Sequence, residues 1–121
     1  MPRLFSIMES HHITLGRKGE EQAAAWYAEH GYTVLERNWR CAQGEIDLLC
    51  SLGSVLVVCE VKTRTTGAHG APFESVPRMK QLRLRRLVVA YLRSYGGRYD
   101  EVRFDVASIL GATLEVMEDA F

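Results

Sequence analysis

The amino-acid sequence predicts a single α/β domain in which helices flank a mixed sheet. Two segments space their apolar residues as amphipathic helices do, and the segments between and after them show the alternation or the apolar runs of strands. These segments follow the order α-β-β-β-α-β-β within 121 residues, a length that suits one domain. We therefore predict a flexible N-terminal arm over residues 1–14 and one domain over residues 15–121.

The first helix is predicted from Gly16 to His30. Thr14 is a suitable N-cap near its start, and Gly31 is the residue type that often follows the end of a helix. The residues that recur at helical spacing on one face are Glu20, Ala23, Ala24 and Tyr27. Glu20 is therefore expected to face the interior, where a carboxylate needs a partner.

Three strands are predicted next, at Tyr32–Arg40, Glu45–Cys50 and Val55–Thr63. The third strand is almost entirely apolar, which indicates a central position with both faces buried. A short hairpin turn that contains Gly53 is expected to join the second and third strands, with Ser51 opposite Ser54.

The second helix is predicted from Arg78 to Tyr95, and Gly96 and Gly97 end it. Its apolar stripe comprises Leu84, Leu87, Val88, Tyr91 and Tyr95. Two further strands are predicted at Arg103–Leu110 and Leu114–Glu118.

Charged side chains interrupt the second and third strands. Because side chains alternate along a strand, Glu60 and Lys62 point to the same face. The predicted hairpin register places Glu45 opposite Glu60, and Asp47 lies two residues from Glu45 on the same face. We therefore expect three carboxylates and one ammonium group to converge on a small patch of the sheet.

A divalent cation is the expected ligand of this patch. Crowded carboxylates repel one another, and partial burial raises the cost of their ionisation. Mg²⁺ or Mn²⁺ compensates both effects, because these ions prefer hard oxygen ligands and suit phosphate chemistry. The expected ligands are Asp47, Glu60 and the backbone carbonyl of Val61. Lys62 is expected to orient an attacking water or to stabilise charge on a phosphate, and Glu20 adds a fourth acid.

Each of these residues also has a structural interpretation. The side chains of Asp47, Glu60 and Lys62 can form a buried ion network that only stabilises the sheet. Glu20 can be an acid that interacts favourably with the start of its helix. Glu45 can bind Arg40 or a backbone amide.

Positive charge is concentrated in one part of the chain, although 15 Lys and Arg balance 15 Asp and Glu overall. Eight basic residues lie between Arg78 and Arg103. A neutral total argues against tight nonspecific binding to nucleic acid, whereas a basic helix allows modest binding or is simply a solvated face. The cations expected to contact phosphates are Lys80, Arg64, Arg78 and Arg85.

The three cysteines are Cys41, Cys50 and Cys59. None is spaced as a zinc ligand, and an odd number without a secretion signal indicates reduced thiols in a cytoplasmic protein. No window approaches the ~20 apolar residues of a membrane span, so no membrane partner is expected.

The spacing of the charged residues resembles a known signature. Asp47 followed by Glu60-Val61-Lys62 resembles the PD-(D/E)XK motif of restriction enzymes and Holliday junction resolvases, with Ile46 in place of the proline. A longer ordered set of motifs over Gly16–Phe121 resembles the YraN-like family of small bacterial proteins. The set comprises Gly16-x-x-Gly19-Glu20-x-x-Ala23, Asn38-Trp39-Arg40, Gly44-Glu45-Ile46-Asp47-Leu48, Glu60-Val61-Lys62-Thr63-Arg64, Lys80 and Arg103-Phe104-Asp105-Val106.

The resemblance implies a restriction endonuclease-like α-β-β-β-α-β core. It implies that Asp47 and Glu60 are the metal ligands. It also implies that Lys62 is the catalytic lysine and that Glu20 is the acid contributed by the first helix. The implied function is a metal-dependent endonuclease acting on DNA, with structured or damaged DNA as one substrate class, and a homodimer is an assembly that the resemblance allows. The alternative is a nucleic-acid-binding module of the same fold, with weak or no turnover, that acts with a partner.

Overall fold

The computed structural model describes the backbone of residues 11–64 and 76–121 and the side chains of residues 18–63 and 76–121. Its elements, in chain order, are α1 (His11–Glu29), β1 (Thr33–Cys41), β2 (Gly44–Leu52), β3 (Val55–Arg64), α2 (Arg78–Tyr95), β4 (Glu101–Leu110) and β5 (Thr113–Met117). The predicted order α-β-β-β-α-β-β is confirmed. Residues 1–10 of the predicted arm, and residues 65–75 of the loop before α2, lie outside the described residues.

The five strands form one sheet in the order β1-β2-β3-β4-β5. The β1–β2, β2–β3 and β4–β5 pairs are antiparallel, and β3 and β4 are parallel. A parallel pair needs a crossover connection, which α2 supplies between β3 and β4. The sheet is therefore mixed, and the apolar β3 occupies its centre as predicted.

Helices cover both faces of the sheet. The α1 cluster, on one face, comprises the buried residues Ala23, Ala24, Tyr27, Leu48, Cys50, Val57, Cys59 and Ala107. The α2 cluster, on the other face, comprises Trp39, Ile46, Leu49, Leu56, Val58, Leu84, Leu87, Val88, Tyr91 and Phe104. Burial of apolar area in these two layers is the main favourable term for folding.

The helices differ from the prediction at two points. Helix α1 begins at His11, so Thr14 lies inside the helix and not at its N-cap. An N-cap residue is only a weak signal for the start of a helix, because the residues before it can also adopt the helical conformation. Tyr95, in the last turn of α2, is 62% exposed, although its ring centroid lies 4.9 Å from that of Tyr91 and 6.4 Å from that of Trp39. Within the described residues, no helix is long and apolar enough to cross a membrane.

The register of the β2–β3 hairpin also differs from the prediction. Leu52 pairs with Val55 and Ser51 pairs with Leu56, so the two-residue loop is Gly53-Ser54. Gly53 has φ +57, and a two-residue hairpin loop favours glycine where a positive φ is required. The shift is by two residues, so the paired side chains from Leu48 to Leu52 keep their predicted faces, but Asp47 becomes level with Glu60.

Helix α1 approaches the ends of β3 and β4 at Gly19. A Cβ added to Gly19 would collide with Thr63 and would lie 3.1 Å from Cδ1 of Ile109.

We expect Gly19→Ala to lower the free energy of unfolding by about 1–3 kcal/mol, although alanine normally stabilises a helix relative to glycine. Urea unfolding monitored by circular dichroism measures this change. Lys18→Ala, at the exposed neighbouring position, is the control and is expected to change stability by less than ~0.5 kcal/mol. A stabilised Gly19→Ala protein would contradict the close packing of α1.

Candidate metal centre

The charged residues lie where β2 and β3 stop pairing. The β2–β3 ladder runs from Leu52 and Val55 to Leu48 and Cys59. Asp47 and Glu60 are the next residue on each strand. Their side chains therefore lie beyond the last rung, at the end of the sheet where β2 begins and β3 ends.

Strand β2 changes face at Asp47. Leu48 belongs to the α1 cluster, whereas Ile46 belongs to the α2 cluster. Residues two apart on a regular strand point to the same face, so the alternation is broken at the residue between them. The side chain of Asp47 is therefore reached from both layers of the domain.

The neighbouring strand has a matching irregularity at Asn38. Arg37 and Trp39, which flank Asn38, pair with the two residues that flank Asp47, so Asn38 lies opposite Asp47. Asn38 has φ +53, a conformation that asparagine tolerates better than most residues. The change of face thus involves both strands.

The Asp47 carboxylate is half-buried and accepts a hydrogen bond of 2.9 Å from the backbone N–H of Val61. Burial first, and then hydrogen bonding to and charge repulsion from the adjacent Glu60, raise the pKa of Asp47 to about 8. The Val61 N–H lowers the pKa and Glu20 raises it. The site therefore disfavours the ionised form of Asp47 unless a cation is close to it.

Glu60 is 5% exposed and forms an ion pair with Lys80 at the start of α2. Both residues border an open cleft of about 520 Å³. The cleft is lined by Asp47, Glu60, Val61, Lys62, Thr63 and Lys80. The predicted convergence of Asp47, Glu60 and Lys62 is therefore present, around an open cleft and not in a closed core.

Two further acids approach Asp47 from its other side. One carboxylate oxygen from each of Glu20, Glu45 and Asp47 lies within 4.8 Å of the others. Asn38 donates a 3.0 Å hydrogen bond from Nδ2 to Oε1 of Glu20. Arg40 forms an ion pair with Glu45, with Nε 2.7 Å from Oε2.

This set of donors fits a divalent cation. Carboxylate oxygens are the ligands that Mg²⁺ and Mn²⁺ prefer. Asp47 lines the cleft together with Glu60, and it also lies close to Glu20 and Glu45. A divalent cation would reverse the rise in the pKa of Asp47. Val61, the predicted backbone ligand, lines the same cleft.

The predicted phosphate-binding cations lie in different surroundings. Lys80 lines the cleft, and Arg78, the first residue of α2, lies two residues before it and is exposed. Arg85 stacks its guanidinium over the ring of Phe104 at 4.5 Å and does not line the cleft. The side chain of Arg64 lies outside the described residues.

The pair of Arg40 with Glu45 is one of the alternatives that the sequence left open for Glu45, and it is present in the structure. Sequence patterns did not assign a role to Asn38, which contacts Glu20. Nor did they include the change of face beside Asn38, because alternation assumes a regular strand. An asparagine amid alternating strand residues is the one local signal, since asparagine is enriched at positive φ.

A second buried acid has a structural role. Asp105 is fully buried and accepts hydrogen bonds from Tyr27 (2.6 Å), from Nε and Nη2 of Arg103 (2.9 Å each) and from the N–H of Asp119 (3.0 Å). The hydrogen bonds to Asp105 raise the pKa of Arg103 further above its usual range. Both oxygens of Asp105 accept hydrogen bonds from protein donors, which distinguishes Asp105 from the carboxylates around the cleft.

Comparison with known proteins identifies one family. The model of the uncharacterised protein family UPF0102 matches residues 19–109. A UPF0102 protein of Leifsonia xyli subsp. xyli is 44% identical over 81% of this chain and 83% of that protein. Proteins of the same description from Acidothermus cellulolyticus (45% identical, 88% of this chain and 92% of that protein) and Rhodococcus jostii (41%, 93% and 99%) are also similar.

The raised pKa of Asp47 predicts a pH-dependent cost of folding. Folded Asp47 keeps its proton up to about pH 8, whereas the ordinary carboxyl of the unfolded chain releases it near 3.8. Between these values the folded state binds the extra proton, so stability falls as pH rises. Asp47→Asn removes this cost and retains an acceptor for the Val61 N–H. In EDTA we expect its Tm to exceed that of the unsubstituted protein by a margin that grows from pH 5 to pH 8 and reaches about 4 °C or more.

Thermal unfolding at several pH values measures this margin. Asp100→Asn removes an exposed carboxylate and is the matched control, which shows how much of the margin is common to any such substitution. A margin that stays constant for Asp47→Asn would show that this carboxyl titrates normally in the folded protein.

Proposed function

Because this chain belongs to the uncharacterised protein family UPF0102, the YraN-like family that its motifs predict, we propose that it is a metal-dependent nuclease that hydrolyses phosphodiester bonds of DNA. The observation that supports this most directly is the shared cleft of Asp47, Glu60 and Lys62 at the end of β2 and β3. Two carboxylates and an ammonium group at one open site suit hydrolysis of a phosphate ester.

The carboxylates would hold the metal ion. Asp47 and Glu60, with the backbone carbonyl of Val61, are the proposed ligands of Mg²⁺ or Mn²⁺, and Glu20 contributes an oxygen near Asp47. When bound, the ion supplies positive charge to the phosphate and lowers the pKa of a coordinated water. The Val61 N–H keeps one oxygen of Asp47 fixed, so the carboxylate enters the cleft in a defined orientation.

Lys62 would act on the substrate. It lies two residues from Glu60 on β3, so both side chains project from the same face of that strand into the cleft. An ammonium group there stabilises the negative charge that develops on the phosphate oxygens, or orients the attacking water. Lys80 already shares the cleft with Glu60 and provides a second positive charge for a phosphate.

The basic surface of α2 would contact the nucleic-acid backbone. Residues 78–95 contain six basic residues and no acidic residue. Arg78 is exposed and lies at the end of the helix that borders the cleft, so it is well placed for a phosphate next to the cleaved bond. Because the chain is neutral overall, we expect modest and strongly salt-dependent affinity.

A binding module with weak or no turnover is the second candidate function. The observation that favours it is the pairing of two cluster acids with protein cations, Glu60 with Lys80 and Glu45 with Arg40. Those cations compete with a divalent ion for the same carboxylates. In this case the protein would bind nucleic acid and act with a partner.

We expect the purified protein to cleave DNA in the presence of Mn²⁺. Glu60→Gln removes a ligand charge and Lys62→Met removes the ammonium group at similar length, so each is expected to lower the cleavage rate by at least ~100-fold. Conversion of supercoiled plasmid and of a four-way DNA junction, with and without EDTA, measures the activity. Glu101→Gln, at the exposed start of β4, is expected to retain full activity.

The outcome separates the two candidate functions. Cleavage that persists in Glu60→Gln and Lys62→Met would assign the activity to a contaminant or to another site. DNA binding without Mn²⁺-dependent cleavage in the unsubstituted protein would favour the binding module.

We also expect Arg78→Gln to weaken DNA binding and to reduce the slope of log K against log salt concentration by about 1, since one phosphate contact is lost. Fluorescence anisotropy of a labelled duplex at several salt concentrations measures both quantities. Arg98→Gln is the control, because Arg98 is exposed beyond the other end of α2, a helix of 18 residues that is about 27 Å long. Equal effects of the two substitutions would show that only overall charge matters.

A further inference from the structure

Asn38 combines two features at one position beside the acid cluster. Its side-chain amide donates a 3.0 Å hydrogen bond to Oε1 of Glu20 on α1. Its backbone has φ +53, on the residue of β1 that lies opposite Asp47. Asn38 therefore connects the helix acid to the point where the strands change face.

The amide is placed to fix Glu20. A glutamate side chain has several rotatable bonds and loses rotamer freedom when it binds a ligand. A hydrogen bond to one oxygen orients the whole carboxylate plane and so sets where the second oxygen lies. One oxygen of the Glu20 carboxylate lies within 4.8 Å of one oxygen from each of Glu45 and Asp47.

We propose that Asn38 is a positioning residue of the metal centre, which holds the Glu20 carboxylate in the orientation that binds a divalent cation. The inference rests on the proposed function, because it assumes that the cluster binds Mg²⁺ or Mn²⁺. Partners that orient metal ligands in this way commonly contribute 10–100-fold to metal affinity, as a rough range. The donated hydrogen bond also reduces the repulsion between Glu20 and Asp47.

A purely conformational role is the competing explanation. In that case asparagine is needed only because it tolerates a positive φ. Glycine tolerates the same conformation but has no amide, so Asn38→Gly separates the two explanations. The chain offers a matched control in Asp119, the other described non-glycine residue with a positive φ, which is 55°.

The experiment is calorimetric titration of Mn²⁺ into the unsubstituted protein and four variants. The variants are Asn38→Gly, Asp119→Gly, Glu20→Gln and the double variant of Asn38→Gly with Glu20→Gln. We expect Asn38→Gly to raise the Kd for Mn²⁺ about tenfold or more, and Asp119→Gly to change it less than about twofold. In the Glu20→Gln background, Asn38→Gly is expected to have almost no further effect, because it acts through Glu20.

Thermal unfolding of the same variants in EDTA shows whether they are folded, and Asn38→Gly is expected to keep a cooperative transition. Unchanged Mn²⁺ affinity in Asn38→Gly would overturn the inference and leave the proposed function intact. An equal loss of affinity in the Glu20→Gln background would also overturn it, since the effect would not pass through Glu20. An unsubstituted protein that binds no Mn²⁺ would overturn the proposed function and the inference together.

Discussion

The carboxylate of Asp47 is the group on which the geometry of the site depends. Asp47 lies between Ile46, which packs in the α2 cluster, and Leu48, which packs in the α1 cluster, so the alternation of β2 side chains is broken at this residue. Burial and the neighbouring Glu60 raise its pKa, and the N–H of Val61 opposes that rise. This N–H can reach the side chain because the β2–β3 ladder ends at the preceding rung. A carboxylate kept in this position costs folding free energy, and costs of that kind are typical of groups retained for function.

Asp105 shows that the same fold can bury an acid without such a cost. Arg103 binds both of its oxygens, and the hydroxyl of Tyr27 and the N–H of Asp119 complete its hydrogen bonds. A guanidinium that binds both oxygens of a buried carboxylate compensates its charge and stabilises one arrangement of the strands. Among the contacts described above, Asp47 receives one backbone hydrogen bond, and the side chains that raise its pKa are the acids Glu60 and Glu20. The two acids therefore differ in what compensates their charge: protein donors for Asp105, and in our proposal a cation for Asp47.

The sequence predicts what is periodic and local, and misses what depends on tertiary geometry. The bounds of α2 at Arg78 and Tyr95 were predicted correctly, because its apolar spacing and the following glycines are local signals. The apolar character of β3 likewise predicted its central position. The predicted hairpin register was wrong by two residues. The register depends on whether Gly53, which has a positive φ, is the first or the second residue of the two-residue loop, and the sequence does not determine this. The change of face at Asn38 was not predicted either, because alternation assumes a regular strand. The ion pair of Lys80 with Glu60 joins elements that only the folded chain brings together.

The strength of the ion pairs around the cluster bears on the choice between a nuclease and a binding module. The side chain of Arg40 is 75% exposed and that of Lys80 is 41% exposed, so water screens the cation of each pair, whereas the side chain of Glu60 is only 6% exposed. A Lys ammonium carries one charge, whereas a divalent ion held by two carboxylates interacts with twice the charge. A divalent cation that binds Asp47 and Glu60 can therefore replace Lys80 without leaving the buried carboxylate of Glu60 uncompensated. The ammonium group released from Glu60 remains at the edge of the same cleft, where a substrate phosphate needs positive charge. The pair of Lys80 and Glu60 is for this reason compatible with a nuclease, and a role limited to binding requires a further reason why the cluster would fail to bind a divalent ion.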